Sequence, residues 1–183
     1  METEQQLLQA ISRGERQALR RLYERYADFA MAVGLRYVPR SDEVRDVLQD
    51  SFVKILTQVS RFSYRGEGSL KSWVGRIVAN RAIDYVKERE RLVLADLLPD
   101  TPDEPESDEP EVEKVPPDVL TQMIGQLPAG YRLVFNLHVF EHCPHSEIAR
   151  QLGIKENSSA SQFFRARKML ARMINEYIKK QRL

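Results

Sequence analysis

Six of the nine prolines lie between residues 99 and 117, in the most acidic stretch of the chain. Proline removes a backbone donor and fixes φ, and charges of one sign repel, so neither a helix nor a packed core passes through such a segment. The 183 residues are thereby divided in two, each part long enough for one small core. Charge follows the same division. Residues 1–95 carry 17 Lys/Arg against 13 Asp/Glu, residues 96–118 carry 1 against 10, and residues 119–183 carry 10 against 4, for a net +1. The sequence predicts an N-terminal domain over 1–95, an acidic, Pro-rich flexible linker over 96–118 and a C-terminal domain over 119–183. Two basic blocks on an anionic tether suit a polyanionic partner.

Both parts read as helical. Between Glu15 and Tyr37, apolar residues at 18, 19, 22, 23, 26, 30, 33 and 37 follow the helical period. Pro39 stops that helix, and Ser41 or Asp42 is placed to cap the next. The next helix carries Val44, Val47, Leu48, Phe52, Ile55, Leu56 and Val59 on one stripe. After a turn-rich stretch from Ser60 to Gly68, a third helix turns Leu70, Trp73, Val74, Ile77, Val78, Ala82 and Val86 inward. The fold class is all-α: two small helical domains, with no strand pattern and few glycines.

In the second part, His145 to Leu170 reads as helix, tight turn, helix. Ile148, Ala149 and Leu152 form the inner stripe, and Gly153 can take the left-handed conformation that reverses the chain. Ser158, Ser159, Ser161 and Gln162 then open the second helix, where small polar groups can approach base edges in a major groove. Arg165, Arg167 and Lys168 follow, with charge suited to phosphates. A helical hairpin with solvated charges remains the alternative.

Three motifs carry a family resemblance. Asp46-Val47-Leu48-Gln49-Asp50-Ser51-Phe52-Val53-Lys54 resembles the polymerase-binding helix of extracytoplasmic-function sigma factors. The run Ser72-Trp73-Val74-Gly75-Arg76-Ile77-Val78-Ala79-Asn80-Arg81-Ala82-Ile83-Asp84-Tyr85-Val86-Lys87 resembles their promoter-melting helix. Leu127-Pro128 through Lys168 resembles their C-terminal domain. The resemblance implies that Asp46, Gln49, Asp50 and Lys54 dock on core RNA polymerase. It implies that Arg61, Phe62, Tyr64, Arg65, Arg76, Asn80, Asp84 and Lys87 face the −10 element of promoter DNA. It gives the −35 element to Ser158, Ser159, Ser161, Gln162, Arg165, Arg167 and Lys168. The family often carries cations near Ala160 and Gln162, so readout here leans on Ser and Gln hydrogen bonds. Phe62 and Tyr64 can stack an unpaired base or simply cover the bundle end. An anti-sigma factor is a further implied partner. A stand-alone helix-turn-helix regulator and a sigma mimic that does not transcribe are the rival readings.

His138, His142, Cys143 and His145 lie within eight residues. Imidazole and thiolate are zinc ligands, but Pro144 interrupts the run and the spacing fits no closed structural site, so no metal or cofactor is expected. No P-loop glycine pattern, HExxH or GxSxG is present, which points away from an enzyme. One cysteine, a polar Met1–Gln9 and no long apolar run predict a cytoplasmic protein without stable membrane insertion.

Overall fold

The computed structural model describes residues 2–89 and 110–181. The chain divides into two compact units, Met1–Tyr85 and Val86–Leu183. Helices account for the regular structure of both, with no strand among the described residues.

The first unit holds α1 (Glu4–Ser12), α2 (Arg16–Tyr37), α3 (Ser41–Gln58), a single 3-10 turn over Val59–Arg61 and, as far as Tyr85, α4 (Ser69–Arg89). Three helices were expected; α1 is the addition. It opens on a capping box: the Thr3 hydroxyl accepts from the Gln6 N–H at 3.2 Å, and the Gln6 side chain accepts from the Thr3 N–H at 2.9 Å. Leu7 of α1 is fully buried, as are Leu22, Tyr37, Val44, Ile55 and Leu70 from the other helices. Each such aliphatic side chain contributes about 1.5–3 kcal/mol by leaving water. Gly34 lets α2 and α3 close up, since a Cβ there would stand 2.6 Å from Val44 Cγ2. Leu19 and Tyr23, on the predicted inner stripe of α2, are instead exposed, with the Tyr23 ring against Phe52 at 4.6 Å.

The start of α3 also differs from expectation. Arg40 occupies the cap position without a side-chain bond, and Ser41 is already helical. Asp42 acts from inside the first turn. The backbone N–H groups of Asp42 and Glu43 hold its carboxyl below the ordinary value, and Arg40 lies 3.5 Å away.

The second unit holds α5 (Pro117–Gly125), α6 (Ala129–Val139), α7 (His145–Leu152) and α8 (Glu156–Gln181). The last residues assigned to an extended linker are folded. A 3-10 turn spans Val112–Lys114, and Val115 is buried with Met123, Ile124, Leu127, Tyr131, Ala166, Leu170 and Ile174. That one apolar residue gives the end of the acidic stretch something to bury. Residues 96–109 lie outside the described residues. Pro128 stands just before α6, where its carbonyl accepts from the Arg132 N–H at 2.9 Å. Arg132 of α6 is buried, and its guanidinium donates to the carbonyls of Gly125 (3.2 Å) and Leu127 (2.7 Å), where α5 ends. A cation on terminal carbonyls favours the helix dipole.

Candidate functional site

The α3 motif divides cleanly between faces. Val44, Val47, Phe52 and Ile55 are buried. Asp46, Gln49, Asp50 and Lys54 are exposed, and Val53 beside them is 60% exposed. An acid, an amide, a bare valine and a lysine thus form one solvent-facing stripe. Asp50 has a second task, for its carboxylate accepts from Arg81 of α4 at 2.9 Å. It fixes α3 to α4 as well as lying on the stripe.

The turn-rich stretch leads into α4. Arg61 and Arg65 are exposed, while Phe62 and Tyr64 are half-buried. Phe62 packs on Trp73 with ring centroids 5.2 Å apart. The Tyr64 hydroxyl stands 3.5 Å from the Glu67 carboxylate. Along α4, Arg76, Asn80 and Asp84 are exposed at four-residue spacing, which places them on one face. Lys87 is half-buried near the helix end.

A residue that the sequence left among polar terminal groups organises this loop. Glu4 is 2% exposed. Its Oε2 accepts from the N–H groups of Gly68 (2.9 Å) and Leu70 (3.0 Å), and its Oε1 accepts from Lys71 N–H (3.0 Å) and the Tyr26 hydroxyl (2.8 Å). Burial pushes this carboxyl's pKa up, but the bonds from Leu70, Tyr26, Lys71 and Gly68 outweigh it and hold the group below its ordinary value. The cap on α4 therefore comes from α1.

In the second unit α7 ends at Gly153, which adopts φ +71° and ψ +34°, and Ile154 N–H closes on the Ala149 carbonyl at 3.0 Å. Helix α8 then departs, completing the helix-turn-helix. Of its predicted base-facing residues, Ser161 is exposed and Ser158 and Gln162 are half-buried. Ser159 is a correction. It is fully buried, and its hydroxyl bonds to His145 Nδ1 at 2.9 Å, so it joins α8 to α7 and offers nothing to DNA. Ser159 precedes Ala166 and Leu170 by seven and eleven residues on the inner stripe of α8, which decides its direction. Arg167 is exposed and lies 6.0 Å over the Phe163 ring, while Arg165 and Lys168 are half-buried. Phe164, passed over in the sequence, is 60% exposed on the outward face with Ser161 and Arg167. The inward register of Ala166 and Leu170 could have placed it there.

Two family models match the chain: Sigma-70 region 2 over residues 22–92 and Sigma-70 region 4 over residues 118–170. Together they take in about two thirds of the chain. The chain belongs to the extracytoplasmic-function sigma factors. It is 27% identical to the ECF RNA polymerase sigma-E factor of Haemophilus influenzae over 94% of this chain and 95% of that one. It is 25% identical to the RNA polymerase sigma-H factor of Pseudomonas aeruginosa over 97% of both. The solved structure of CnrH in complex with the cytosolic domain of CnrY matches 93% of this chain and 96% of that one at 22% identity, with a TM-score of 0.47. In this sigma factor the region 2 match holds the α3 stripe and the α4 face but begins after α1, so Glu4 falls outside it.

The histidines of the sigma factor are structural neighbours of the helix-turn-helix. His138 and His145 stack face to face, centroids 4.5 Å apart and planes at 7°, with Phe163 edge-on to His138. His138 Nδ1 lies 3.0 Å from the Cys143 carbonyl, and His145 Nδ1 holds Ser159. Stacked rings present faces rather than lone pairs to each other. No three His, Cys, Asp or Glu side chains converge for a metal ion among the described residues. His142 is exposed in the left-handed region, φ +55°. No helix among the described residues is long and apolar enough to cross a membrane.

Burial, and then the adjacent His138, lower the His145 pKa from its usual 6.5, with Glu156 pulling the other way. The folded state therefore favours neutral His145 and binds fewer protons than the unfolded chain just below pH 6.5. This contribution to stability is complete above that value and lost as pH falls through the lowered folded pKa. Amides of α7 and α8, followed by NMR in urea, are expected to unfold at lower denaturant at about pH 5.5 than at about pH 7.5. The His145→Asn variant, whose amide can still reach Ser159, is expected to flatten that dependence. An equal pH dependence in the variant would contradict the assignment.

Proposed function

We propose that the chain is an initiation factor of transcription, working in the cytoplasm with no chemistry of its own. It docks on core RNA polymerase through Asp46, Gln49, Asp50 and Lys54. It holds the opened −10 element between the Arg61–Ser69 loop and the Arg76, Asn80, Asp84 and Lys87 face of α4. It reads the −35 element through α8, with Ser158, Ser161 and Gln162 toward the bases and Arg165, Arg167 and Lys168 toward phosphates. The observation that carries the reading is the joint presence of region 2 and region 4 matches in one chain, with the motif polar residues of α3 and α4 largely solvent-facing. A regulator of the −35 element alone has no use for the α3 stripe. An anti-sigma factor that covers this stripe would keep the protein from polymerase.

The test is promoter-dependent transcription with purified core enzyme, followed by sequencing of the start sites. Discrete starts sharing −35 and −10 sequences are expected. Promoter binding by the chain with no complex with core polymerase at low ionic strength would favour the stand-alone regulator instead.

A further inference from the structure

We propose that Glu4 is a positioning residue for promoter opening: from α1 it fixes the start of α4 and, through it, the shape of the Arg61–Gly68 loop. The proposal rests on the reading of that loop as the part facing the −10 element. Helix N-termini leave backbone N–H groups without partners, and these are usually met by a side chain immediately before the helix. Ser69, the local candidate, is otherwise engaged: its hydroxyl donates to the Gly66 carbonyl at 2.6 Å and accepts from Arg65 N–H at 3.2 Å. The N–H groups of Gly68, Leu70 and Lys71 go instead to one carboxylate more than sixty residues earlier in the chain.

The joint is reciprocal. The Glu67 carboxylate accepts from the Glu4 N–H at 3.2 Å and from Arg25 at 3.3 Å, while Arg25 also donates to the Glu2 carbonyl at 2.8 Å. The loop itself has little intrinsic stiffness, because Gly66 and Gly68 both sit at positive φ, +113° and +89°, with open space around them. Beside the local bonds of Ser69, its junction with α4 is thus held from α1. Neither Glu4 nor Glu67 needs to touch DNA. What they determine is where Phe62, Tyr64 and Arg65 stand when a base leaves the stack.

Glu4→Gln keeps the size of the side chain but replaces one acceptor oxygen with a donor that faces backbone N–H groups. Glu67→Gln perturbs the same joint from its exposed side and keeps the test open should the first variant fold poorly. Val44→Ala serves as a control that loosens the α2–α3 contact without touching the joint. The measurements are thermal unfolding, affinity for core polymerase, and opening of a promoter carrying 2-aminopurine in its −10 element, as duplex and as a pre-opened bubble. Glu4→Gln is expected to slow duplex opening about tenfold, within the up to hundredfold cost of misplacing a reacting group by an ångström. Core affinity stays within about twofold, the bubble restores wild-type behaviour, and Glu67→Gln shows a smaller loss of the same kind. Val44→Ala loses stability but opens duplex normally. Opening by Glu4→Gln at the wild-type rate overturns the proposal alone, as does a loss that tracks stability in all three variants or a matching loss of core affinity. A wild-type chain that binds core polymerase and opens no promoter overturns the reading of the loop and the proposal with it.

Discussion

Positive charge placed on the exposed face of α3, with Asp46→Arg and Gln49→Arg combined, is expected to weaken the complex with core polymerase about a hundredfold and leave the fold unchanged. Both positions are exposed in mid-helix, and arginine is a good helix former, so the substitution costs α3 little. Asp46 enters no ion pair among the described residues, so its replacement strands no internal cation. At the interface the balance is different. A like-charge juxtaposition costs several kcal/mol, and about 2.7 kcal/mol already corresponds to a hundredfold in affinity. Asp50 is the wrong residue for this experiment. Its carboxylate holds Arg81, so Asp50→Arg would set two guanidiniums together across α3 and α4 and confuse docking with folding. Binding of labelled protein to purified core enzyme, with an unfolding curve for each variant, gives the answer. Unchanged affinity in the double variant would remove α3 from the interface.

The features legible in the sequence were those with a local signal. The periodicity of α2, α3 and α4, the glycine ending α7 and the break at the acidic, Pro-rich stretch all follow from near neighbours in the chain. Helix α1 had such a signal in Thr3 and Gln6, a capping pair three residues apart, but its inner face includes an acid. Pattern reading sends carboxylates to solvent, and only the fold shows that the N–H groups of Gly68, Leu70 and Lys71 await Glu4. The same holds for Asp50, whose partner Arg81 is 31 residues away. Ser159 failed for another reason. A serine at the tip of a recognition helix suits DNA, yet extending the Ala166 and Leu170 stripe backward by two turns turns it inward, and His145 is there to receive it. Val115 shows the converse: one apolar residue in an acidic stretch was enough to anchor the residues around it.

Helix α8 gives a second large effect, of a different kind. Arg167 is exposed and Lys168 half-buried, a turn or more beyond the base-facing candidates Ser158 and Ser161. From there they are suited to phosphates, which give affinity without reading sequence. Removing one phosphate-neutralising cation lowers the slope of log K against log salt by about 0.9, so Arg167→Ala with Lys168→Ala should lower it by about 1.8. Referred to molar salt, that is roughly a 60-fold loss of affinity at 0.1 M. The loss should be nearly equal on a promoter with its −35 element and on one with that element scrambled, because phosphates are alike in both. Ser161→Ala with Gln162→Ala should do the opposite, leaving the slope unchanged while removing the preference for the intact element, since a good base-edge pair discriminates by about 1–3 kcal/mol. Holoenzyme binding to both duplexes across a salt series measures slope and preference together. If the cation variant kept its slope and lost its preference, the outward face of α8 would be reading bases through Arg167 and Lys168, and the division of labour proposed for this helix would have to be reversed.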